Sequence, residues 1–189
     1  MAKIFYIMGP SGSGKDSIIS GLRALLHPNS GTMIAHRYIT RHWKAGGENH
    51  IELTDNEFNL RKSLGLFSLS WEANGHQYGI GCEVDAWLKA NHSVIVNGSR
   101  EHLPEAITYY GDKLIPILIS VDDDCIRERL QNRGRESPEE IEARIQRSQF
   151  YTKSLADRCH LIKNNTDLES AIRNLATLID SLSSATINV

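Results

Sequence analysis

Cysteine is scarce in this chain: Cys82, Cys125 and Cys159 are far apart and form no Cys-x-x-Cys pair. An odd, widely spaced set offers no disulfide framework and points to reduced thiols in the cytoplasm. A surplus of charge is missing too. Lys and Arg number 21 against 23 Asp and Glu, and a net charge of -2 argues against nucleic acid as a default partner. No apolar run is long enough to cross a bilayer. The N-terminal run is short and leads straight into a glycine-rich loop, so neither a membrane partner nor an export signal is expected. The eight histidines (His27, His36, His42, His50, His76, His92, His102 and His160) include no pair at the spacing of a metal site. Internal repeats, low-complexity tracts and long linkers are absent, so residues 1–189 fit a single domain able to bury its own core. The sequence leaves monomer and homodimer open.

What is present is a run of decisive type. Apolar Ile4–Met8 is followed at once by Gly9-Pro10-Ser11-Gly12-Ser13-Gly14-Lys15-Asp16-Ser17. A buried strand passing through a glycine-rich loop into a helix is the architecture of a phosphate-binding P-loop. The glycines let successive N–H groups face an anion, and the helix start adds its positive dipole end. Lys15 supplies a mobile point charge for the β- and γ-phosphates. The hydroxyl that usually follows the lysine arrives one residue late, at Ser17, with Asp16 between. Beside a triphosphate a carboxylate repels unless a cation intervenes, so Asp16, Ser17 or both are expected to hold Mg²⁺, directly or through water. The plainer alternative is a glycine-rich turn capped by Asp16.

Alternating apolar runs and helical patterns argue for an α/β domain with a mostly parallel sheet. The strand candidates are Lys3–Met8, Thr32–Arg37, Ser93–Asn97, Leu114–Val121 and His160–Lys163. Helices are expected over Ser17–Leu26, with Ile18, Leu22, Leu25 and Leu26 on one face, over Cys82–Ala90, and over Leu168–Leu182. Ser137-Pro-Glu-Glu reads as a helix start, with an N-cap followed by proline and acids. Residues 38–80 interrupt the alternation with a short helix at Asp55–Ser63 and a hairpin at Asn74-Gly75. Residues 126–145 interrupt it with clustered arginines around Gly134. Both segments read as insertions that close over a site.

Phosphoryl transfer needs cations on the equatorial oxygens and a grip on the acceptor. Arg133 and Arg135 flank Gly134 at the end of a helix, where they could reach a nucleotide. Arg127 and Arg129 alternate with acids and read as a solvated face. Arg41 and Lys44 stand three residues apart before Gly46-Gly47 and could hold an acceptor phosphate, with the Tyr78 hydroxyl nearby. A basic surface loop and a core tyrosine are the ordinary alternatives there.

Taken together, the P-loop, Thr40-Arg41, Tyr78-Gly79 and Arg133-Gly134-Arg135-Glu136 followed by Arg144 resemble the guanylate-kinase-like P-loop kinases. The resemblance runs from about residue 3 to residue 182. It implies a P-loop NTPase fold with a five-stranded parallel sheet flanked by helices. It further implies a core of 1–37, 81–125 and 146–189, an acceptor-binding region at 38–80 and an arginine-rich lid at 126–145. Asn165 would lie near the adenine. Gly9 to Ser17 would bind ATP, and Lys15, Arg133, Arg135 and Arg144 would act on the transferred group.

Departures narrow the resemblance. The glutamate with which guanylate kinases read guanine falls on Leu69 or Ser70, their acid after the third core strand is Asn97, and their second acceptor arginine is Lys44. These features, with Gly14-Lys15-Asp16-Ser17, Phe67 to Gly75 and Val96-Asn97-Gly98-Ser99-Arg100, resemble the ribose 1,5-bisphosphate phosphokinase family. That likeness implies ATP-dependent conversion of ribose 1,5-bisphosphate to 5-phosphoribosyl 1-diphosphate during phosphonate breakdown. Arg41, Lys44, Tyr78, Asn97, Ser99 and Arg100 would then contact the sugar phosphate. A nucleoside monophosphate kinase, a kinase of a small hydroxyl acceptor and an inactive binding module stand as alternatives.

Overall fold

The computed structural model describes all residues except 27–29, 46, 135, 166 and 185–189. Strands β1 (Ile4–Met8), β2 (Thr32–Ile34), β7 (Ser93–Asn97), β8 (Leu114–Ser120) and β9 (His160–Lys163) form one sheet in the order β2-β7-β1-β8-β9. Every pairing in it is parallel. The central strand β1 is apolar throughout because both of its faces are covered.

Alternation along β1 divides the core. Phe5 and Ile7 pack with Ile18 and Leu22 of α1 (Lys15–Leu25) and with Leu175 and Ile179 of α7 (Leu168–Ser184). Ile4, Tyr6 and Met8 face the other way, toward Val84 of α3 (Glu83–Lys89) and Leu103, Ala106 and Tyr110 of α4 (Leu103–Tyr110). Each such large apolar side chain contributes about 1.5–3 kcal/mol by leaving water. Leu25, expected on the buried stripe of α1, is exposed, and Ile19 takes its place in the core.

A second sheet stands beside the first in the order β4-β3-β6-β5, built from β3 (Arg37–Ile39), β4 (Ile51–Glu52), β5 (Phe67–Ala73) and β6 (His76–Gly81). The run Thr32–Arg37 is therefore two strands in two sheets. It breaks at Ala35-His36 because β2 pairs with β7 while Arg37–Ile39 pairs antiparallel with β6. The hairpin at Asn74-Gly75 has both residues at positive φ (49° and 74°), as a tight two-residue turn requires. Helix α2 (Asp55–Ser63) starts at Thr54, whose hydroxyl accepts from the Glu57 amide at 3.2 Å.

Helices α5 (Asp123–Arg133) and α6 (Pro138–Leu155) share a small core of Ile126, Leu130, Ile141 and Ile145. The Ser137 and Glu140 side chains cap α6 reciprocally, which fixes where it starts after Gly134 ends α5. Among the described residues no helix is long and apolar enough to cross a membrane.

Candidate active site

The loop from Gly9 to Gly14 leaves the C-terminal end of β1, and Gly14 caps α1 in the left-handed region (φ 76°, ψ 13°). Two further segments fix this loop. The Asn164 amide, buried at the end of β9, donates to the Ser13 carbonyl at 2.7 Å. Arg129 donates to the carbonyls of Asn164 (2.8 Å) and Gly12 (3.4 Å). Arg129 is thus a part-buried brace rather than the solvated residue its acidic neighbours suggested. Arg127 does lie on the surface, paired with Glu142 and Asp124.

A Cβ on Gly14 would sit 2.5 Å from the Asn164 amide nitrogen. Gly14→Ala therefore combines a left-handed non-glycine with displacement of that brace, a cost of about 2 kcal/mol. Thermal denaturation is expected to show Tm lowered by about 5 °C, and titration with ATP to show weakened binding.

The loop forms the floor of a cleft of about 480 Å³. Lys15 is nearly buried there. Its Nζ donates to Asn97 Oδ1 at 2.6 Å and to Asp16 Oδ1 at 3.1 Å. Burial pulls the ammonium below the usual lysine range, and Asp16 opposes the shift. Burial pushes Asp16 the other way, but Lys15, Arg37 and the hydrogen bond from Asn97 outweigh it and hold the carboxyl below its usual range.

Asn97 is the junction of the site. It accepts from Lys15, and its amide donates to Asp16 Oδ1 at 3.0 Å and to Glu48 Oε1 at 3.1 Å. It lies under the cleft rather than on its wall. Glu48, 8% exposed in its side chain, is also gripped by Arg37 and by Arg41 at 3.3 Å. The Arg37 guanidinium lies over the Tyr78 ring at 5.0 Å, and Tyr78 stacks on Trp71. One connected set of charges thus runs from the P-loop into the second sheet.

The remaining wall comes from the ends of β7 and from α5 and α6. Arg133 approaches Ser11 Oγ at 3.4 Å, and both Arg133 and Arg144 pair with the buried Glu136. Ser99 and Arg100 line the cleft after β7, with Ser99 fixed by its backbone to the Tyr6 hydroxyl. Arg147 and Tyr151 of α6 complete it.

The sequence-predicted residues divide accordingly. Gly9, Pro10, Ser11, Gly12, Gly14, Lys15, Asp16 and exposed Ser17 line the cleft, as do Arg41, Tyr78, Ser99, Arg100, Arg133 and Arg144, while Ser13 is buried beneath it. Lys44 is exposed, with Nζ over the Trp43 ring at 5.1 Å, and lies off the cleft wall. Asn165 is not among the residues lining the cleft and locks onto Asp122 (2.6 and 3.0 Å), in the same loop that Arg129 braces. Arg135 falls outside the described residues.

Sequence reasoning missed Arg37, Glu48, Arg147, Tyr151 and Asn164. Only the α6 residues carried a readable signal, since 144, 147 and 151 follow helical spacing.

Among the described residues no group of three or more His, Cys, Asp or Glu could hold a metal ion by itself. Mg²⁺, however, takes one or two carboxylates and fills its shell with substrate phosphates and water. Asp16 fits that requirement. Its hydrogen bonds among the described residues both fall on Oδ1, and Ser17, next in the chain, also lines the cleft.

Comparison with known proteins follows the same line. No known protein-family model matches the chain. It is 44% identical over 179 residues to ribose 1,5-bisphosphate phosphokinase PhnN of Pectobacterium parmentieri, covering 95% of this chain and 94% of that one. The protein of the same description from Yersinia pestis is 44% identical, over 95% of this chain and 92% of its own. That of Desulfomicrobium baculatum is 53% identical over 150 residues, 79% of this chain and 80% of its own. Among solved structures, guanylate kinase from Anaplasma phagocytophilum superimposes with a TM-score of 0.73 at 16% identity, over 98% of this chain and 88% of that one. The latter likeness establishes the fold, an α/β sheet of the guanylate-kinase type.

Proposed function

The chain belongs to the ribose 1,5-bisphosphate phosphokinase family, and from that premise we propose that it transfers the terminal phosphoryl group of ATP to the 1-phosphate oxygen of ribose 1,5-bisphosphate. The products are ADP and 5-phosphoribosyl 1-diphosphate. One observation carries the choice of acceptor. The carboxylates at the cleft are each committed to a cation: Asp16 to Lys15, Glu48 to Arg37 and Arg41, Glu136 to Arg133 and Arg144, and Glu101 to Arg147. None of these four stands free to take a proton from a hydroxyl. A phosphate oxygen is already anionic at neutral pH and needs no general base, so charge neutralisation and alignment suffice.

The roles follow from position. The P-loop amides and Lys15 receive the β- and γ-phosphates. Arg133 and Arg144 approach the same end from the segment 126–145, which acts as the lid. Arg41, with Arg37 behind it, draws the 1-phosphate toward the nucleotide. Mg²⁺, held by Asp16 and Ser17, would supply charge neutralisation on the phosphate oxygens. Purine recognition has little to work with. Leu69, at one of the places where guanylate kinases keep their base-reading glutamate, is buried in the core, and Trp71 and Ala73 present an apolar wall. Among the described residues the cleft lining offers no carboxylate at that place to read guanine.

A ³¹P NMR time course with ATP, Mg²⁺ and ribose 1,5-bisphosphate is expected to develop a diphosphate doublet at C1 as ATP is consumed. GMP in place of the sugar is expected to leave ATP unchanged. Rapid turnover of GMP with none of the sugar would reject the proposed acceptor, and failure of calorimetry to detect ATP binding would instead favour an inactive module.

A further inference from the structure

Beyond the P-loop and the Arg37–Glu48–Arg41 group, the cleft holds another concentration of positive charge. Arg100 follows β7, half-buried, with its guanidinium 4.6 Å above the Tyr151 ring. Its Nη1 is buried and, among the described residues, has no hydrogen-bond partner. Arg147 faces the same region from α6, held by Glu101, which also accepts from the Tyr151 hydroxyl at 3.1 Å. Burial and the neighbouring Arg147 pull the Arg100 guanidinium down to about 10, so it remains charged but poorly compensated. Two guanidinium groups near a single carboxylate, which only Arg147 of the two contacts, with a buried donor unused, are complementary to an added anion.

Helix α6 relates this group to the reacting end. Arg144 is tied through Glu136 to Arg133 at Ser11 of the P-loop. Arg147 and Tyr151 continue the same helical face, about 4.5 and 10.5 Å further along the axis. A ribose carrying phosphates on C1 and C5 has its two anions at opposite ends of the sugar. With the 1-phosphate drawn by Arg41 against the nucleotide, the other must lie further along the cleft.

We propose that Arg100 and Arg147 form a second phosphate-binding subsite, which holds the 5-phosphate of the acceptor while the 1-phosphate faces the nucleotide. The assignment rests on the functional reading above, and it makes these two arginines determinants of specificity for a bisphosphate over a monophosphate. Glu101 is their resident counterion in the free protein and keeps Arg147 in place.

Calorimetric titration of the full chain with three sugars tests this. Arg147→Gln is expected to weaken ribose 1,5-bisphosphate and ribose 5-phosphate by about 30-fold while leaving ribose 1-phosphate within about twofold, the size of a lost charge-assisted hydrogen bond. Arg100→Gln should give the same pattern. Because Arg147 is half-exposed, its variant is expected to fold even where the Arg100 variant does not. Equal weakening of all three sugars, or an effect confined to ribose 1-phosphate, would overturn the subsite without touching the functional reading. Absence of any sugar binding to the unaltered protein would fell both, and the NMR time course would register that independently.

Discussion

Lys15→Met is expected to lower kcat by about 10³-fold, the size of effect seen when one preorganised donor to a developing charge is removed. The reasoning is electrostatic. Lys15 is nearly buried, and its ammonium is held between Asp16 and Asn97 at the floor of the cleft. In a water-poor site a cation at the β/γ bridge is worth far more than the same charge in solvent. Methionine keeps most of the stem, so packing beside the P-loop survives while the charge is lost. Steady-state release of ADP measures the effect, and circular dichroism checks that the fold persists. A loss of less than about tenfold, smaller than any single oxyanion donor contributes, would show that Lys15 is not on the transferred group.

Glu48→Ala is expected to produce the largest fall in stability, about 3–5 kcal/mol, because it leaves two guanidinium groups in the protein without their counterion. Arg37 and Glu48 have side chains only 10% and 8% exposed, and Arg41 is 23% exposed with a buried Nε that has no partner among the described residues. The Asn97 amide would lose one of its two acceptors as well. In a thermal scan this corresponds to a Tm lowered by roughly 10 °C for a domain of this size. The variant also has a diagnostic response. Inorganic phosphate should raise its Tm more than that of the unaltered protein, since an anion can occupy the position the carboxylate left. Equal responses in the two proteins would mean that Arg37 and Arg41 do not offer an anion site.

Much of this molecule could be read before any coordinates. The apolar run at 4–8, the glycines after it and the alternation of strand and helix led directly to the central sheet, because covalent spacing and burial leave their mark locally. The capping box at Ser137 and the turn at Asn74-Gly75 are local in the same sense. What escaped depended on pairing between distant segments. Nothing in Thr32–Arg37 distinguishes one strand from two, since β7 and β6 impose the break from outside.

The site divides along the same line. Lys15 and the P-loop are fixed by their neighbours in sequence. Glu48 became interpretable only once β3 carried Arg37 beside it and β7 brought Asn97 beneath it. Lys44 illustrates the converse. Its three-residue spacing from Arg41 suggested a pair, but the loop has no helical or strand period to keep the two on one face, and Lys44 rests on Trp43 instead. Arg129 looked solvated because it alternates with Glu128 and Arg127, yet carbonyl groups of two loops outcompete water for its donors.

The placement of charge in the cleft has an effect that reaches well outside it. Lys15, Arg37, Arg41, Arg100, Arg133, Arg144 and Arg147 gather around a cavity served by few carboxylates, while the whole polypeptide carries -2. The remainder of the surface must then bear the excess of acid, and the molecule is an electric dipole with its positive pole at the opening. A polyanion drifting nearby experiences a torque that turns the opening toward it and speeds productive encounters. That pull decays over roughly 8 Å at physiological ionic strength, so added salt slows capture well before it loosens the short-range grip.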